Sequence, residues 1–242
     1  MSIWFISDLH LEATRPDGIR QLFALLERIR PDAEALYILG DFFEYWIGDD
    51  VLDTAQGQAV LPILQALQAL KQQGTKLYFL HGNRDFLIGE RFAELSGCTL
   101  LPEQQVVDVY GTPTLIMHGD TLCTDDVAYQ QARKLFRDPH WQAEVMTWSI
   151  PQRLERAKQL RLLSQQDTQN KAEAIMDVNQ RTVEQAMRDA RVRHLIHGHT
   201  HRPAIHDFQL DQQAAQRIVL GDWYQRGNAL RVTAQDWTLL DL

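Results

Sequence analysis

Seven side chains in this sequence have the types and spacing of metal ligands. Asp8 and His10 stand two positions apart, Asp41 follows Gly40, and Asn83 follows Gly82. His118 precedes Gly119, and His199 and His201 again stand two apart, behind Gly198. Taken singly, each has an ordinary explanation. An Asp after a strand commonly caps a helix or forms a turn, and a lone His is commonly a hydrogen-bonded structural residue. Jointly they are two carboxylates, one amide and four imidazoles, all donors for divalent cations. One carboxylate can bridge two ions, so seven protein ligands suit two metal centres with room left for water. Such a pair activates a water and clamps the attacking and leaving oxygens of an in-line displacement. The imidazole, carboxylate and amide mixture suits Mn²⁺ or Fe²⁺ better than an all-oxygen Mg²⁺ shell or a thiolate-rich zinc site. Two Mn²⁺ per chain are the expectation.

The elements that must position these residues show a repeated unit. A short apolar run ends abruptly in Gly, Asp, Asn or His. The runs are Ile3–Ile6 before Asp8, Leu36–Leu39 before Gly40-Asp41, and Leu77–Leu80 before His81-Gly82-Asn83. Leu115–Met117 precedes His118, and Leu195-Ile196 precedes His197-Gly198-His199. Uninterrupted apolar runs of this length predict strands buried on both faces. The spacing of Asp8 and His10 predicts that both leave a strand end toward the same side. Ile19, Leu22, Phe23, Leu26 and Ile29 follow a helical period stopped by Pro31; Val60, Ile63, Leu64, Leu67 and Leu70 follow another, stopped by Gly74. Strand and helix alternation predicts an α/β fold, a layered β-sheet or β-sandwich core flanked by helices. In such folds ligands collect beyond the carboxyl ends of the strands, where every polar cluster above falls.

The rhythm breaks at about 125–192, which lacks a convincing strand and is read as a helical insertion in a single domain of 1–242. Residues 128–171 carry eight basic and four acidic side chains, opposite in sign to the whole chain at −8. Phe136, Trp141 and Trp148 lie in the same stretch. This apolar and basic mixture fits an amphiphile bearing phosphate and acyl chains, or loose docking on an anionic membrane, or aromatics that simply pack the helices down. From about Arg217 the tail reads as two or three closing strands. The chain has 242 residues, 45% hydrophobic, enough for one substantial core. Its acidic balance argues against a nucleic-acid partner. No run of about 18 apolar residues predicts a membrane span, and the start runs directly into Asp8 with no basic leader. Cys98 and Cys123 are 25 positions apart and read as reduced thiols of a cytosolic protein.

Together, Asp8-x-His10, Gly40-Asp41, Gly82-Asn83, His118-Gly119-Asp120 and Gly198-His199-x-His201 resemble the calcineurin-like metallophosphoesterase superfamily. The resemblance implies that Asp8, His10 and His201 hold one metal, that Asn83, His118 and His199 hold the other, and that Asp41 bridges. Many members of that superfamily have His after the Asn, as an acid for the leaving group; here it is Arg84. Arginine keeps its proton at neutral pH, so it is a poor acid but a good bidentate phosphate clamp. A clamp without an acid favours a leaving group that needs no proton, which a phosphate leaving a diphosphate is and an alkoxide is not. The other reading is that Arg84 pairs with Asp85 or another acid.

The runs Gly40-Asp41-Phe42-Phe43-Glu44-Tyr45-Trp46-Ile47-Gly48-Asp49-Asp50, His81-Gly82-Asn83-Arg84-Asp85-Phe86 and Ile196-His197-Gly198-His199-Thr200-His201-Arg202-Pro203 resemble the UDP-2,3-diacylglucosamine diphosphatase family over nearly the whole chain. That implies an Mn²⁺-dependent hydrolase of lipid A biosynthesis, peripheral on the cytoplasmic face of the Gram-negative inner membrane. The substrate is a lipid-linked nucleotide, the products UMP and 2,3-diacylglucosamine 1-phosphate. The resemblance implies Arg84, Asp41 and His199 as catalytic. It implies substrate contacts at Asn83, Arg84, Asp126, Ser164, Thr168, Lys171 and His199, although Lys171 reads equally as a solvated charge. A monomer is expected. The alternatives are a two-metal nuclease or nucleotide phosphatase, and a scaffold that has lost its metals.

Overall fold

The computed structural model describes residues 1–242 except 171–174 and 226, with side chains for all of these but Gln56 and 164–170. The first half alternates strand and helix: β1 (Ser2–Ile6), α1 (Pro16–Ile29), β2 (Ala33–Ile38), a short α2 (Ala55–Gln58), α3 (Leu61–Gln72), β3 (Lys76–Phe79), α4 (Glu90–Ser96) and β4 (Thr99–Leu100). A hairpin follows, β5 (Gln104–Val109) and β6 (Thr112–Met117). Four helices come next: α5 (Val127–Phe136), α6 (Pro139–Met146), α7 (Ile150–Asn170) and α8 (Gln180–Ala190). The chain closes with β7 (His194–His197), β8 (Ala204–Leu210), β9 (Gln213–Val219), β10 (Asn228–Val232) and β11 (Trp237–Asp241).

The strands form two sheets, one of six in the order β11-β10-β1-β2-β3-β4 and one of five in the order β5-β6-β7-β9-β8. Alternation along each strand divides the apolar residues between layers. Ile3 and Phe5 of β1, with Ala35 and Tyr37 of β2, face Ile116, Ile196 and Ile218 of the other sheet. Trp4 and Ile6, with Leu36 and Ile38, point the other way, onto Leu22, Leu26 and Ile29 of α1 and Leu64 and Leu67 of α3. On the far side Leu115, Met117 and Leu195 pack on Val183 and Met187 of α8. The α/β sandwich flanked by helices agrees with the expected fold class. β1 has no exposed residue, which is why it reads as an unbroken apolar run.

β1, β2 and β3 run parallel in one sheet, and β6 and β7 run parallel in the other. Their carboxyl ends all meet at one edge of the sandwich. The expected tail strands are present as β9, β10 and β11, but β9 begins ahead of Arg217 and has an unanticipated partner, β8. The β8–β9 turn is Asp211-Gln212, both with positive φ (50° and 63°), a hairpin turn without the glycine that usually marks one.

Among the described residues, four of the eight basic side chains of 128–171 are engaged within the protein. Arg133 pairs with Asp120 and Glu103, Arg137 with Glu103, and Arg161 with Glu44. Arg153 is 3% exposed and donates to the carbonyl of Ile47 and the carboxylate of Asp50, fixing α7 to the loop after β2. Phe136 stacks on Phe86 (centroids 5.8 Å, interplanar 6°), and Trp141 leans on both. Phe136 and Trp141 therefore pack α5 and α6 against the Asn83 loop. Arg153→Met is expected to lower stability by about 1–3 kcal/mol, because it strips a buried carbonyl of its donor. Urea titration monitored by circular dichroism measures this; an unchanged midpoint would show that the anchor contributes nothing.

Candidate metal centre

Asp8 and His10 do not leave β1 as an extended strand end. Both lie beyond it in the left-handed region, with φ of 57° and 49°. Asp41 (51°), His199 (68°) and His201 (57°) share that conformation. Left-handed backbone at a residue other than Gly, Asn or Asp is uncommon and strained. The turns aim five side chains at one point, a result that strand alternation was expected to give and does not. The loops also approach very closely. A Cβ on Gly82 would sit 2.1 Å from Asp41 Oδ1, and one on Gly198 would sit 2.1 Å from Asp8 Oδ2.

All seven sequence-derived ligand residues come together. His10 Nε2 and His201 Nε2 are 3.1 Å apart, with Asp8 Oδ1 3.3 Å from the latter. His118 Nε2 and His199 Nδ1 each lie 2.9 Å from Asn83 Oδ1. Asp41 stands between, Oδ2 4.0 Å from His10 Nε2 and Oδ1 3.7 Å from His118 Nε2. Asp8, His10 and His201 form one cluster whose donor atoms lie within 4.8 Å of one another, and Asp8, Asp41 and His118 form a second. Asp8 belongs to both, so two carboxylates, Asp8 and Asp41, occupy the middle.

The donor set fits divalent cations. Asp8 Oδ2 accepts the N–H of His199 at 2.9 Å, while Oδ1 is buried and turned to the two imidazoles with no hydrogen bond. His118 Nδ1 is 2.8 Å from the Leu39 carbonyl, so that nitrogen carries the proton and Nε2 offers a lone pair. Burial pushes the carboxyl of Asp41 up to about 7, with the charges of Asp85 and Asp8 adding to the shift. Burial also raises the Asp8 carboxyl, but the His201 imidazole 3.3 Å from Oδ1 and the charges of His118 and His10 overcome it and hold it low. Burial lowers His199 to about 3, aided by the charge of His118. Buried carboxylates set among imidazoles in this way are a donor set for divalent cations.

Arg84 follows the Asn83 turn. Its N–H donates to Asp41 Oδ1 at 2.8 Å, and its charge acts on Asp41, His10 and Tyr224. Asp85 accepts backbone N–H groups of Phe42 (2.7 Å) and Gly82 (2.8 Å) and ties the two candidate ligand loops together. Asp126 caps α5 by accepting the N–H of Tyr129 at 3.0 Å. Ser164, Thr168 and Lys171 lie outside the described side chains. Several neighbours were not singled out as site residues from the sequence. The Tyr129 ring lies 5.4 Å from that of His199 and its hydroxyl donates to Asp120. Tyr224 stacks on His10 at 5.0 Å. Glu44 and Asp222 face His10 and His201. Asp85, Asp120 and Glu44 could have been sought inside the motif runs; Tyr129, Asp222 and Tyr224 could not.

Residues 1–203 match the family model of calcineurin-like phosphoesterases. The chain belongs to the calcineurin-like phosphoesterase family. Among curated members, the UDP-2,3-diacylglucosamine hydrolase of Chromohalobacter salexigens is 50% identical over 98% of this chain and 94% of its own length. The Pseudomonas aeruginosa PAO1 protein of the same name is 50% identical over 97% and 96%, and that of Hahella chejuensis 47% identical over 100% and 98%. An archaeal phosphodiesterase of known structure shares the fold, with TM-score 0.52 at 13% identity and full coverage of both chains.

His197, beside the ligands of this family member, is fully buried, its Nε2 3.1 Å from Arg217 Nη1 and its Nδ1 2.8 Å from the Gly198 carbonyl. Burial and then the Arg217 charge lower it from 6.5 to about 3. Below 6.5 the unfolded chain binds a proton that the folded chain refuses. The stability from the neutral ring is therefore complete above 6.5 and lost as pH falls toward about 3. His197→Asn should flatten the acid-side stability slope by up to about 1.4 kcal/mol per pH unit, read from urea midpoints between about pH 7 and 5. An unaltered slope would remove His197 from that role.

Proposed function

We propose that this enzyme hydrolyses the diphosphate bond of UDP-2,3-diacylglucosamine, yielding UMP and 2,3-diacylglucosamine 1-phosphate in lipid A biosynthesis. The observation that carries this is Arg84 in place of a leaving-group acid, its backbone bound to Asp41 at the middle of the cluster. Relatives named as UDP-2,3-diacylglucosamine hydrolases, 47–50% identical over nearly the full chain, support the substrate. Two divalent cations, taken here as Mn²⁺, supply an activated water and positive charge for the attacking and leaving oxygens when bound.

The chain's own groups do the rest. Asp8, His10 and His201 would hold one cation and Asn83, His118 and His199 the other, with Asp41 available to both. Arg84 clamps a diphosphate oxygen and keeps its proton, so the lipid phosphate leaves as an anion. His199 and Asn83, at the same edge, also meet the transferred phosphoryl group, and Asp126, Ser164, Thr168 and Lys171 contact the remainder of the substrate. We read residues 1–242 as one monomeric domain in which a helical insertion, about 125–192, receives the lipid part. Leu162 and Leu163 support this: they are 58% and 57% exposed and directly follow Arg161, which reaches Glu44 beside His10. Among the described residues no helix is long and apolar enough to cross a membrane. Peripheral contact with the anionic inner membrane then rests on such apolar side chains together with the basic ones of the same helices.

Turnover of UDP-2,3-diacylglucosamine should far exceed that of a chromogenic phosphodiester; the reverse preference would assign a nuclease-like activity instead. His10→Ala should leave a folded protein with turnover nearly abolished, and full activity in that variant would end the two-cation reading. Arg84→Ala should lose about 3 kcal/mol or more of transition-state stabilisation in kcat/KM. A near-normal kcat would deny Arg84 its clamp.

A further inference from the structure

The two halves of the centre are backed by different groups. His118 donates Nδ1–H to a neutral acceptor, the Leu39 carbonyl, at 2.8 Å. His10 turns Nδ1 toward Glu44 Oε2 at 3.6 Å, and His201 turns Nδ1 toward Asp222 Oδ2 at 3.5 Å. Both imidazoles of the Asp8 cluster therefore have a carboxylate behind them. The buried acids near His118 are engaged elsewhere: Asp120 by the Tyr129 hydroxyl at 3.0 Å and Arg133 Nε at 2.7 Å, Asp85 by the Phe42 and Gly82 N–H groups.

Backbone pairing puts Glu44 there. His10 N–H donates to the Asp41 carbonyl at 2.9 Å, Leu11 to Phe42 at 2.9 Å, and Glu44 to Leu11 at 3.1 Å. The loops after β1 and β2 thus run side by side and bring Glu44 alongside His10. The carboxylate is 8% exposed, accepts the Tyr224 hydroxyl at 3.1 Å, and pairs with Arg161 through its other oxygen. Tyr224 also lies flat on the His10 ring, 9° from parallel. His10 is 2% exposed and its Nδ1 has no hydrogen bond of its own, so the carboxylate facing it at 3.6 Å is its compensating partner. A carboxylate behind an imidazole fixes the proton on the outer nitrogen, orients the ring and makes the inner nitrogen a stronger donor.

We propose that Glu44 and Asp222 are positioning residues that make the Asp8–His10–His201 position the tighter of two divalent-cation positions, the one filled first. This rests on the two-cation reading above.

The test is Mn²⁺ titration of the metal-stripped full chain, with free Mn²⁺ followed by electron paramagnetic resonance and folding checked by circular dichroism. The wild type should take up two ions in separable steps. Glu44→Gln and Asp222→Asn should each weaken the first step about 10- to 100-fold and leave the second unchanged. His118→Ala should remove the second step and leave the first. If Glu44→Gln does not fold, Asp222→Asn, at a side chain 27% exposed, carries the test alone. Two ions bound with the first step unmoved in the folded variants, or with the second weakened instead, would overturn the proposal. A wild type that binds fewer than two ions would overturn the two-cation reading itself.

Discussion

Among the described residues, the most deeply buried carboxylates at one edge of this sandwich are Asp8, Asp41, Asp85 and Asp120, all 3% exposed or less. A buried charge must be compensated or neutralised, and the rest of the arrangement follows from how each one is met. Asp85 is met by two backbone N–H groups, and Asp120 by Arg133 and a tyrosine hydroxyl. Asp8 and Asp41 receive one backbone N–H each and otherwise face imidazoles. Their deficit is what makes the pair a candidate cation site. The protein spends hydrogen bonds on the two acids that hold loops in place and withholds them from the two that stand in the middle.

The backbone carries the corresponding strain. Five ligand residues adopt left-handed conformations. Such strain persists where surroundings over-determine it. Here the loop after β1 is zipped to the loop after β2, and the loop after β2 is tied to the Gly82–Asp85 turn by Asp85 and by the Trp46 N–H on the Arg84 carbonyl. The glycines at 40, 82 and 198 are needed because the loops lie nearly in contact; a Cβ on Gly40 would be 2.4 Å from Gly82 N. Convergence and strain are one feature. Side chains can meet around a small volume only if the chains bearing them turn sharply within it.

The sequence made the parallel strands and the ligand types legible, because a strand buried on both faces must be apolar throughout and must then end in something polar. Ile3–Ile6 and Leu36–Leu39 are plain examples. It misled over Asp8 and His10, where the two-residue spacing read as strand alternation but reflects alternate left-handed turns. Edge strands escaped because they need be apolar on one side only: β5 alternates exposed and half-buried positions and β8 is mostly exposed. Glu44, Asp222 and Tyr224 escaped for a different reason. Their positions depend on pairing between loops distant in sequence, and no local pattern records that pairing.

The helices from Val127 onward join the chemistry through cations. Arg133 reaches Asp120, Arg137 the carbonyls of His81 and Gly82, and Arg161 Glu44. Each guanidinium ends on a group that braces a ligand loop: Asp120 lies two residues after His118, Gly82 precedes Asn83, and Glu44 faces His10. Part of the positive charge in 128–171 is thus the counterpart of the negative charge of Asp120 and Glu44. The helix α7 also exposes Leu162 and Leu163, next to Arg161. Were the proposed lipid chain to rest there, it would rest on a helix that Arg161 ties to Glu44, beside His10.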